Sequence, residues 1–315
     1  MRKLLTLIAG LLVAVCLSGQ TKVVFAPQWI PQAQFAGFYV AQEKGFFSKE
    51  GLDVEFRHPG INSTESAESM MLKGDAHIIT QPLVRSIISR ADGNDIVNVM
   101  QINQDSGLCC VSHEPISVFE DLNGKKIGRW KVGFGEICDV VQAHKKADVD
   151  WVPFINGINL YIFGAVDATL AYSYSELVSL ELAIGDIPEE NIIHFPENGY
   201  RSPEDGLWVT GKYYREHKDT VDKFVRASKE GWDYARNHQD EAVAITRKYT
   251  EAAHAITNDI HQKRMLEEYL RLQVNPETGK ADYAPVSKEV YDLNCDALSS
   301  TGYITTIPEY ESIIK

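Results

Sequence analysis

The stretch that decides the fold is residues 22–56, KVVFAPQWIPQAQFAGFYVAQEKGFFSKEGLDVEF. Residues 22–26 form a short apolar run that ends at a proline, which predicts a strand. Residues 34–49 carry their aromatic residues at helical spacing, and Gly45 lies near the end of this predicted helix. Residues 52–56 alternate apolar and polar side chains, which predicts a second strand. The stretch therefore reads as one strand–helix–strand unit.

The same alternation of predicted strands and helices continues to residue 195. It predicts further strands at 76–80, 96–100, 124–128, 150–153, 166–171 and 192–195, with helices at 64–73, 83–91, 133–141, 157–163 and 175–182. Strands that alternate with helices indicate βαβ units and parallel sheets. From residue 213 onward the pattern is nearly all helical, with helices predicted at 219–237, 239–249 and 261–272. We therefore expect an α/β protein with two βα halves and a helical C-terminal segment.

Length and charge limit the classes of function. The chain has 315 residues, which favours two domains, and a formal charge of −13. A nucleic-acid partner requires a basic surface, so the acidic balance argues against one. A cationic or neutral small ligand remains open, as does a plain solvated acidic surface.

Residues 1–19, MRKLLTLIAGLLVAVCLSG, have the layout of a secretory signal peptide. A positive start at Arg2 and Lys3 precedes an apolar run that is too short to span a bilayer comfortably. We expect an exported, periplasmic protein, with Cys16 as a candidate lipidation site although the residues before it fit that motif poorly. The other four cysteines, Cys109, Cys110, Cys138 and Cys295, match no zinc spacing, and buried thiols are expected in preference to disulfides.

Three groups of segments carry a family resemblance: residues 28–47 with 50–54 (QWIPQAQFAGFYVAQEKGFF, EGLDV), residues 121–128 (DLNGKKIG), and residues 203–210 with 224–232 (PEDGLWVT, FVRASKEGW). Together they resemble the substrate-binding proteins of ABC importers that are related to thiamin-pyrimidine biosynthesis. That superfamily also holds binding proteins for alkylsulfonates, taurine and riboflavin. The opening segment is most similar to binding proteins for a formylaminopyrimidine, a thiamin precursor.

The resemblance implies a two-lobe periplasmic-binding-protein fold, type II-like, with a hinge-bending cleft and two crossover strands. We place the crossovers near 108–111 and 206–210. Lobe 1 would then comprise residues 20–108 and 211–315, and lobe 2 residues 109–210. The implied function is capture of a small heterocycle for a membrane permease by a monomer, without a cofactor or a metal.

Candidate ligand contacts follow the first predicted strand. Trp29 would lie at the mouth of the cleft, where an aromatic ring can stack on a flat heterocycle; the alternative is a core tryptophan. Gln28 can donate and accept hydrogen bonds at once, as the edge of an aminopyrimidine requires. Phe38 and Tyr39 diverge by about 100° on the next helix, so one is expected in the core and one in the cleft.

Other candidates come from strand ends. Thr80 and Gln81 end the third strand of lobe 1, a position suited to ligand contact. In the second lobe, Tyr172, Tyr174 and Glu176 follow a strand, and Glu176 can accept paired hydrogen bonds from an aminopyrimidine. The alternative for Glu176 is a carboxylate favoured by a helix N-terminus. Asp205 is either an acid in the cleft or a turn cap.

Two other functions need consideration. The glycine-rich segment 131–136 (KVGFGE) could bind an anion such as a sulfonate, although the signal is weak. The superfamily also includes a fungal thiamin-pyrimidine synthase, which consumes its own histidine and a pyridoxal phosphate bound to lysine and carries a cysteine-rich motif. Residues 75–85 hold His77 but no lysine, and no cysteine run follows Phe195. We therefore expect a binding protein and no enzyme.

Overall fold

The computed structural model describes residues 19–60, 65–131, 135–155 and 157–315. The predicted signal peptide and Cys16 lie outside the described residues, apart from Gly19. Two five-stranded sheets form the framework. The strands are β1 (Thr21–Ala26), β2 (Leu52–Phe56), β3 (Ile78–Gln81), β4 (Ile96–Gln101), β5 (Leu108–Ser112), β6 (Lys126–Trp130), β7 (Asp150–Phe154), β8 (Ala168–Tyr172), β9 (Ile192–His194) and β10 (Gly206–Thr210).

The described helices are α1 (Ala36–Glu43), α2 (Phe46–Lys49), α3 (Ala67–Lys73), α4 (Leu83–Ala91), α5 (Glu136–Lys145), α6 (Asn159–Ile162), α7 (Glu176–Ile184), α8 (Gly211–Glu216), α9 (Lys218–Asn237), α10 (Gln239–Ala252), α11 (Asp259–Leu272), α12 (Lys288–Ser300) and α13 (Tyr310–Ile313). Short 3-10 turns occur at Ala33–Phe35, Phe119–Leu122, Glu189–Asn191 and Pro196–Asn198. This confirms the expected α/β fold with a helical C-terminal segment.

Each sheet mixes parallel and antiparallel strands. The first sheet has the order β2-β1-β3-β10-β4, with β10 antiparallel to both its neighbours. The second has the order β7-β6-β8-β5-β9, with β5 antiparallel to both its neighbours. We call the first sheet and its helices the first lobe, and residues 108–194 the second lobe. Two connectors, residues 102–107 and 195–205, join the lobes.

The expected lobe boundaries are wrong at two strands, β10 and β5. Residues 206–210 were assigned to lobe 2, but β10 pairs with β3 and β4 in the first sheet. Leu108 was expected to end the first lobe, but it begins β5 in the second sheet. Both runs are apolar and buried, so each fits either sheet, and only the long-range pairing decides between them.

Helices α11 and α12 bridge the two lobes. Met265, Leu266 and Tyr269 of α11 are buried in the core of the first lobe, and the same helix contacts α7 of the second. Helix α12 packs against α4 of the first lobe and α5 of the second. The helical C-terminal segment therefore fixes how the two sheets face one another.

All four described cysteines are buried and unpaired, as the sequence predicted. Burial raises the pKa of Cys110 to about 12 and that of Cys295 to about 11. These thiols therefore remain protonated at neutral pH and behave as small apolar side chains.

Candidate functional site

A pocket lies where the carboxyl ends of parallel strands from both sheets meet, the usual ligand position in α/β sheets. In the observed arrangement of the lobes its free volume is about 30 Å³. We call it the aromatic pocket, and its lining consists of Gln28, Trp29, Gln32, Gln34, Trp130, Tyr172, Tyr174, Ser175 and Glu176. The first four belong to the first lobe and the others to the second.

The second lobe supplies a row of stacked rings. The ring centroids of Trp130 and Tyr172 lie 5.2 Å apart at an interplanar angle of 30°, and those of Tyr172 and Tyr174 lie 5.3 Å apart at 20°. Trp130 ends β6 and Tyr172 ends β8, so the backbone of adjacent strands aligns the rings. Such a row leaves the ring edges and the outer faces of its end members for contact with a planar ligand.

The first lobe supplies Trp29 through a fixed backbone. The carbonyl oxygen of Trp29 accepts a hydrogen bond from Nδ1 of His58 at 2.6 Å. Because a carbonyl can only accept, Nδ1 carries the proton and Nε2 accepts from the Tyr39 hydroxyl at 3.0 Å. Burial lowers the pKa of His58 to about 4, which keeps this arrangement neutral and unchanged through physiological pH.

A buried carboxylate beneath the pocket orients two glutamines. Asp205 accepts hydrogen bonds from Nε2 of Gln28 at 2.7 Å, from Nε2 of Gln34 at 2.6 Å and from the Tyr269 hydroxyl at 2.8 Å. The backbone amide of Gln28 also donates to Oγ1 of Thr80 at 2.9 Å. Burial raises the pKa of Asp205, and the three donors oppose that rise. Asp205 therefore determines which end of each amide is the donor.

Glu176 begins α7 and lines the pocket at the same time. Its Oε2 accepts from the backbone amide of Tyr172 at 3.1 Å, and the Trp130 side chain also hydrogen-bonds to this carboxylate. Burial raises its pKa. A carboxylate has about four acceptor positions, so it can still receive donors from a ligand. The helix-terminal and ligand-facing interpretations of Glu176 are thus compatible.

Five of the ten predicted contacts line this pocket: Gln28, Trp29, Tyr172, Tyr174 and Glu176. Thr80, Gln81 and Asp205 lie behind it as buried supports, with Nε2 of Gln81 donating to Oγ of Ser86 at 3.1 Å. Thr80 and Asp205 act on the pocket through Gln28, to which both hydrogen-bond.

The expectation that Phe38 or Tyr39 would face the cleft is wrong. Both are fully buried in the core of the first lobe. Phe38 packs against Phe25, and Tyr39 stacks on Tyr249 with centroids 4.0 Å apart. Helix α1 is buried on nearly every side, so neither direction around it leads to the cleft.

Four lining residues were not predicted: Gln32, Gln34, Trp130 and Ser175. Trp130 could have been found, because it ends the parallel strand β6, just as Gln28 and Tyr174 closely follow the ends of β1 and β8. The glutamines could not, since Gln34 is oriented by Asp205, 171 positions away, and Nε2 of Gln32 in turn donates to Oε1 of Gln34. Of the glycine-rich segment, residues 132–134 lie outside the described part, and Glu136 pairs with Arg85.

His77 lies away from the aromatic pocket. It immediately precedes β3, at the end of the sheet opposite the cleft, and its Nδ1 accepts from the Val24 amide at 3.0 Å.

No helix in the described part of the chain combines the length and apolar character needed to cross a membrane.

The two sheets, their connectors and the pocket between their carboxyl edges define the periplasmic-binding-protein fold. A family model described as NMT1/THI5 like matches residues 32–242, and the chain belongs to that family. Among solved structures, the aliphatic sulphonate binding protein SsuA of Escherichia coli superposes with a TM-score of 0.66 at 12% identity, covering 93% of this chain and 92% of that one.

Curated relatives include both binding proteins and enzymes. The putative binding protein YtlA of Bacillus subtilis is 26% identical over 65% of this chain, which spans 63% of that protein. The riboflavin-binding protein RibY of Chloroflexus aurantiacus is 24% identical, covering 90% of this chain and 82% of that one. A 4-amino-5-hydroxymethyl-2-methylpyrimidine phosphate synthase of Candida albicans is 24% identical, covering 71% and 70%.

Proposed function

We propose that this chain is the extracytoplasmic solute-binding protein of an ABC importer and that it captures an aminopyrimidine precursor of thiamin. The observation that carries the proposal is the aromatic pocket, to which both lobes contribute rings and uncharged or acidic hydrogen-bonding groups. A planar heterocycle with exocyclic amino groups matches this combination. The signal-peptide pattern of residues 1–19 supports export, and Cys16 is the candidate site of membrane anchoring.

The lining favours a heterocycle over an anion. None of the described lining residues is lysine or arginine, whereas Glu176 lies in the wall. A sulfonate would meet the Glu176 carboxylate in a partly dehydrated pocket, which is unfavourable. An aminopyrimidine would instead donate its amino hydrogens to Glu176 and stack on the row of rings, with the stacking contributing about 0.5–1.5 kcal/mol beyond area burial.

The mechanism would be closure of the lobes around the solute. Trp29 approaches from the first lobe and Trp130 from the second, so an open form would separate them and a closed form would bring both to the ligand. Closure is driven only by contacts that the ligand makes in the closed form and not in the open one. The closed form, acting as a monomer, would then be presented to a permease.

Riboflavin is the second candidate, because its ring system would use the same aromatic wall and RibY matches most of the chain. Catalysis is not part of the proposal, since His77 lies outside the pocket. Recovery of the bound compound unchanged after prolonged incubation, measured by mass spectrometry, would support this view. A converted product would contradict it.

The test is a calorimetric panel on the chain without residues 1–19. The probes are 4-amino-5-hydroxymethyl-2-methylpyrimidine, its formylaminomethyl analogue, riboflavin and an alkanesulfonate. We expect the pyrimidines to bind, with Trp29→Ala and Glu176→Gln each weakening affinity by about tenfold or more. Glu289→Gln, on an exposed face of α12, is the matched control and should bind as the parent does.

The outcomes separate the candidates. Binding of riboflavin or the sulfonate without any pyrimidine would overturn the proposed ligand and leave the binding role intact. Pyrimidine binding that Trp29→Ala and Glu176→Gln leave unchanged would place the site outside the aromatic pocket.

A further inference from the structure

A second cavity lies behind the aromatic pocket, on the other side of Tyr172. Its free volume of about 20 Å³ has room for a group about the size of one water molecule, and Tyr172 lines both spaces. We call it the carboxylate cavity, and its lining consists of Pro82, Val84, Arg85, Ser106, Leu108, Glu136, Ile137, Tyr172, Ser202 and Glu204. These residues come from the starts of α4 and α5 and from both connectors, so this cavity also lies between the lobes.

Three polar side chains of this cavity are buried and incompletely satisfied. Glu204 is only 2% exposed, and its Oε2 has no hydrogen-bond partner. Oε2 of Glu136 and Oγ of Ser202 are likewise buried without one. Buried polar atoms normally have partners, so three such atoms around one cavity make it a place where a small polar group can be received.

The other oxygen of Glu204 is already engaged. Its Oε1 accepts from Oγ of Ser106 at 2.5 Å and from the amide of Gly107 at 2.9 Å. These bonds join the two connectors and fix the carboxyl group. Oε2 is therefore held rigidly at the cavity, as a preorganised ligand contact would be.

The charges favour a cation as the occupant. Nη1 of Arg85 lies 2.8 Å from Oε1 of Glu136, and Nη2 of Arg85 lies 4.0 Å from Glu68. The single guanidinium thus serves two other carboxylates and leaves Glu204 unmatched. Burial raises the pKa of Glu204 well above its ordinary value, and the nearby Asp205 raises it further. The ligand-free carboxyl group therefore retains its proton to a higher pH, and a bound cation would stabilise the ionised form.

The chemistry of the unmatched atoms narrows the class of cation. The described residues contain no cluster of three histidine, cysteine or acidic side chains that could hold a metal ion. Carboxylate oxygens accept hydrogen bonds, and a primary ammonium group offers several donors together with a positive charge. An anion attracted by Arg85 would have to lie beside Glu136 and Glu204.

We propose that the carboxylate cavity is a second subsite that binds a primary ammonium group through Glu204 and Glu136. Because Tyr172 lines both spaces, a solute with a planar ring in the aromatic pocket and an aminoalkyl arm would occupy both. The claim that the ring of the same solute occupies the aromatic pocket rests on the proposed function, whereas the claim that the carboxylate cavity binds an ammonium group does not. The two halves can therefore fail separately.

The first experiment uses simple ions. Thermal unfolding is measured with methylammonium chloride, tetramethylammonium chloride, sodium chloride and sodium acetate at equal ionic strength. We expect a saturable rise in melting temperature with methylammonium alone, because tetramethylammonium carries charge without donors. The rise should disappear in Glu204→Gln and persist in Glu289→Gln. Equal shifts with both ammonium ions, no shift with methylammonium, or a shift with acetate would overturn the proposal.

The comparison between ions is made on the unmodified chain, so it stands even if Glu204→Gln folds poorly, and Glu136→Gln is then the second variant.

The second experiment compares 4-aminopyrimidines that carry aminoalkyl or hydroxyalkyl arms of one to four carbons. At the arm length that fits, we expect the amine to bind at least about tenfold more tightly than the alcohol.

The results distinguish the two proposals. Equal binding of amine and alcohol at every arm length would overturn the subsite and keep the aminopyrimidine function. A methylammonium response without binding of any pyrimidine would keep the subsite and overturn the function.

Discussion

Asp205 shows how a single residue can determine a pocket that it does not line. It holds the amide nitrogens of Gln28 and Gln34, and its side chain is fully buried. Asp205→Asn would place an amide nitrogen against these donors. We expect stability to fall by about 1–3 kcal/mol and ligand affinity to fall with it, measured by denaturant unfolding and calorimetry. The exposed Asp148→Asn is the control, and equal effects in both variants would contradict this role.

Glu176 gives the pocket a predictable pH dependence. Burial raises its pKa, so the carboxylate becomes protonated at a higher pH than an ordinary glutamate as solutions are acidified. We expect the affinity for an aminopyrimidine to decrease as the pH is lowered, and to do so already above pH 4.5, because protonation of Glu176 removes this acceptor. Calorimetric titrations from pH 8 to pH 5 would measure this, and the Glu176→Gln variant should show a flatter profile. A parent profile as flat as that of the variant would contradict the role of Glu176.

Glu204 gives the ligand-free chain a second pH dependence, this time in stability. Its pKa is raised on folding from an ordinary 4.5, so the folded state holds the proton more tightly than the unfolded state. The protonated Glu204 contributes its full stabilisation of the folded state below pH 4.5. This stabilisation is lost as the pH rises through the pKa of the folded state, and the free energy of unfolding falls by up to about 1.4 kcal/mol per pH unit. Unfolding free energies across this range should fall less steeply for Glu204→Gln than for the parent. Parallel curves would contradict the expectation.

At the scale of elements, periodicity predicts the sheet-and-helix alternation well. Helix α4 is found at the predicted residues 83–91, and the strand predicted at 52–56 is β2. Most other elements differ from their predictions by one to four residues at an end. Strands β5 and β10 are different, because their burial is visible in the sequence whereas their antiparallel partners are distant in the chain. The candidate site shows the same contrast between local and long-range features. Residues that follow strand ends, such as Trp29 and Glu176, could be predicted from the sequence, whereas residues that depend on long-range packing could not.

The contact between α1 and α9 depends on two glycines. A Cβ added at Gly231 would lie 2.1 Å from the carbonyl oxygen of Gly37, and one added at Gly37 would lie 2.1 Å from the Trp232 ring. The backbones can approach this closely only without side chains.

We expect Gly231→Ala to separate these helices and destabilise the protein by about 1–3 kcal/mol, as overpacking does. Gly135→Ala is the matched control, because an added Cβ there meets its nearest atom at 3.6 Å, an ordinary contact. Chemical denaturation of both variants measures the difference. If Gly231→Ala unfolded at the same midpoint as Gly135→Ala, the close approach of the helices would not be required.

At the scale of the whole molecule, α11 links the lobes through one of its faces. Three residues at helical spacing, His261, Arg264 and Glu268, contact the second lobe from a helix whose other face is buried in the first. Nε2 of His261 lies 2.9 Å from Oγ of Ser179, and Arg264 pairs with Glu181. Oε1 of Glu268 accepts from Oγ of Ser173 at 2.7 Å. These contacts stabilise the observed arrangement of the lobes. One of them reaches a residue of the aromatic pocket, because Nε2 of His261 also lies 3.2 Å from the carbonyl oxygen of Ser175.

Removing such contacts should therefore change closure without altering any side chain that lines the aromatic pocket. The double variant His261→Ala with Ser173→Ala removes hydrogen bonds that contribute about 0.5–1.5 kcal/mol each, which would shift an open–closed equilibrium by roughly tenfold. We expect a larger radius of gyration for the ligand-free protein in small-angle X-ray scattering. Ligand affinity should weaken in proportion to the lost closed fraction, because only the closed form engages both lobes. Lys288→Ala, which breaks an ion pair within α12, is the control. A double variant with the radius and affinity of this control would show that α11 supports the first lobe alone, and closure would then depend on the ligand and the two connectors.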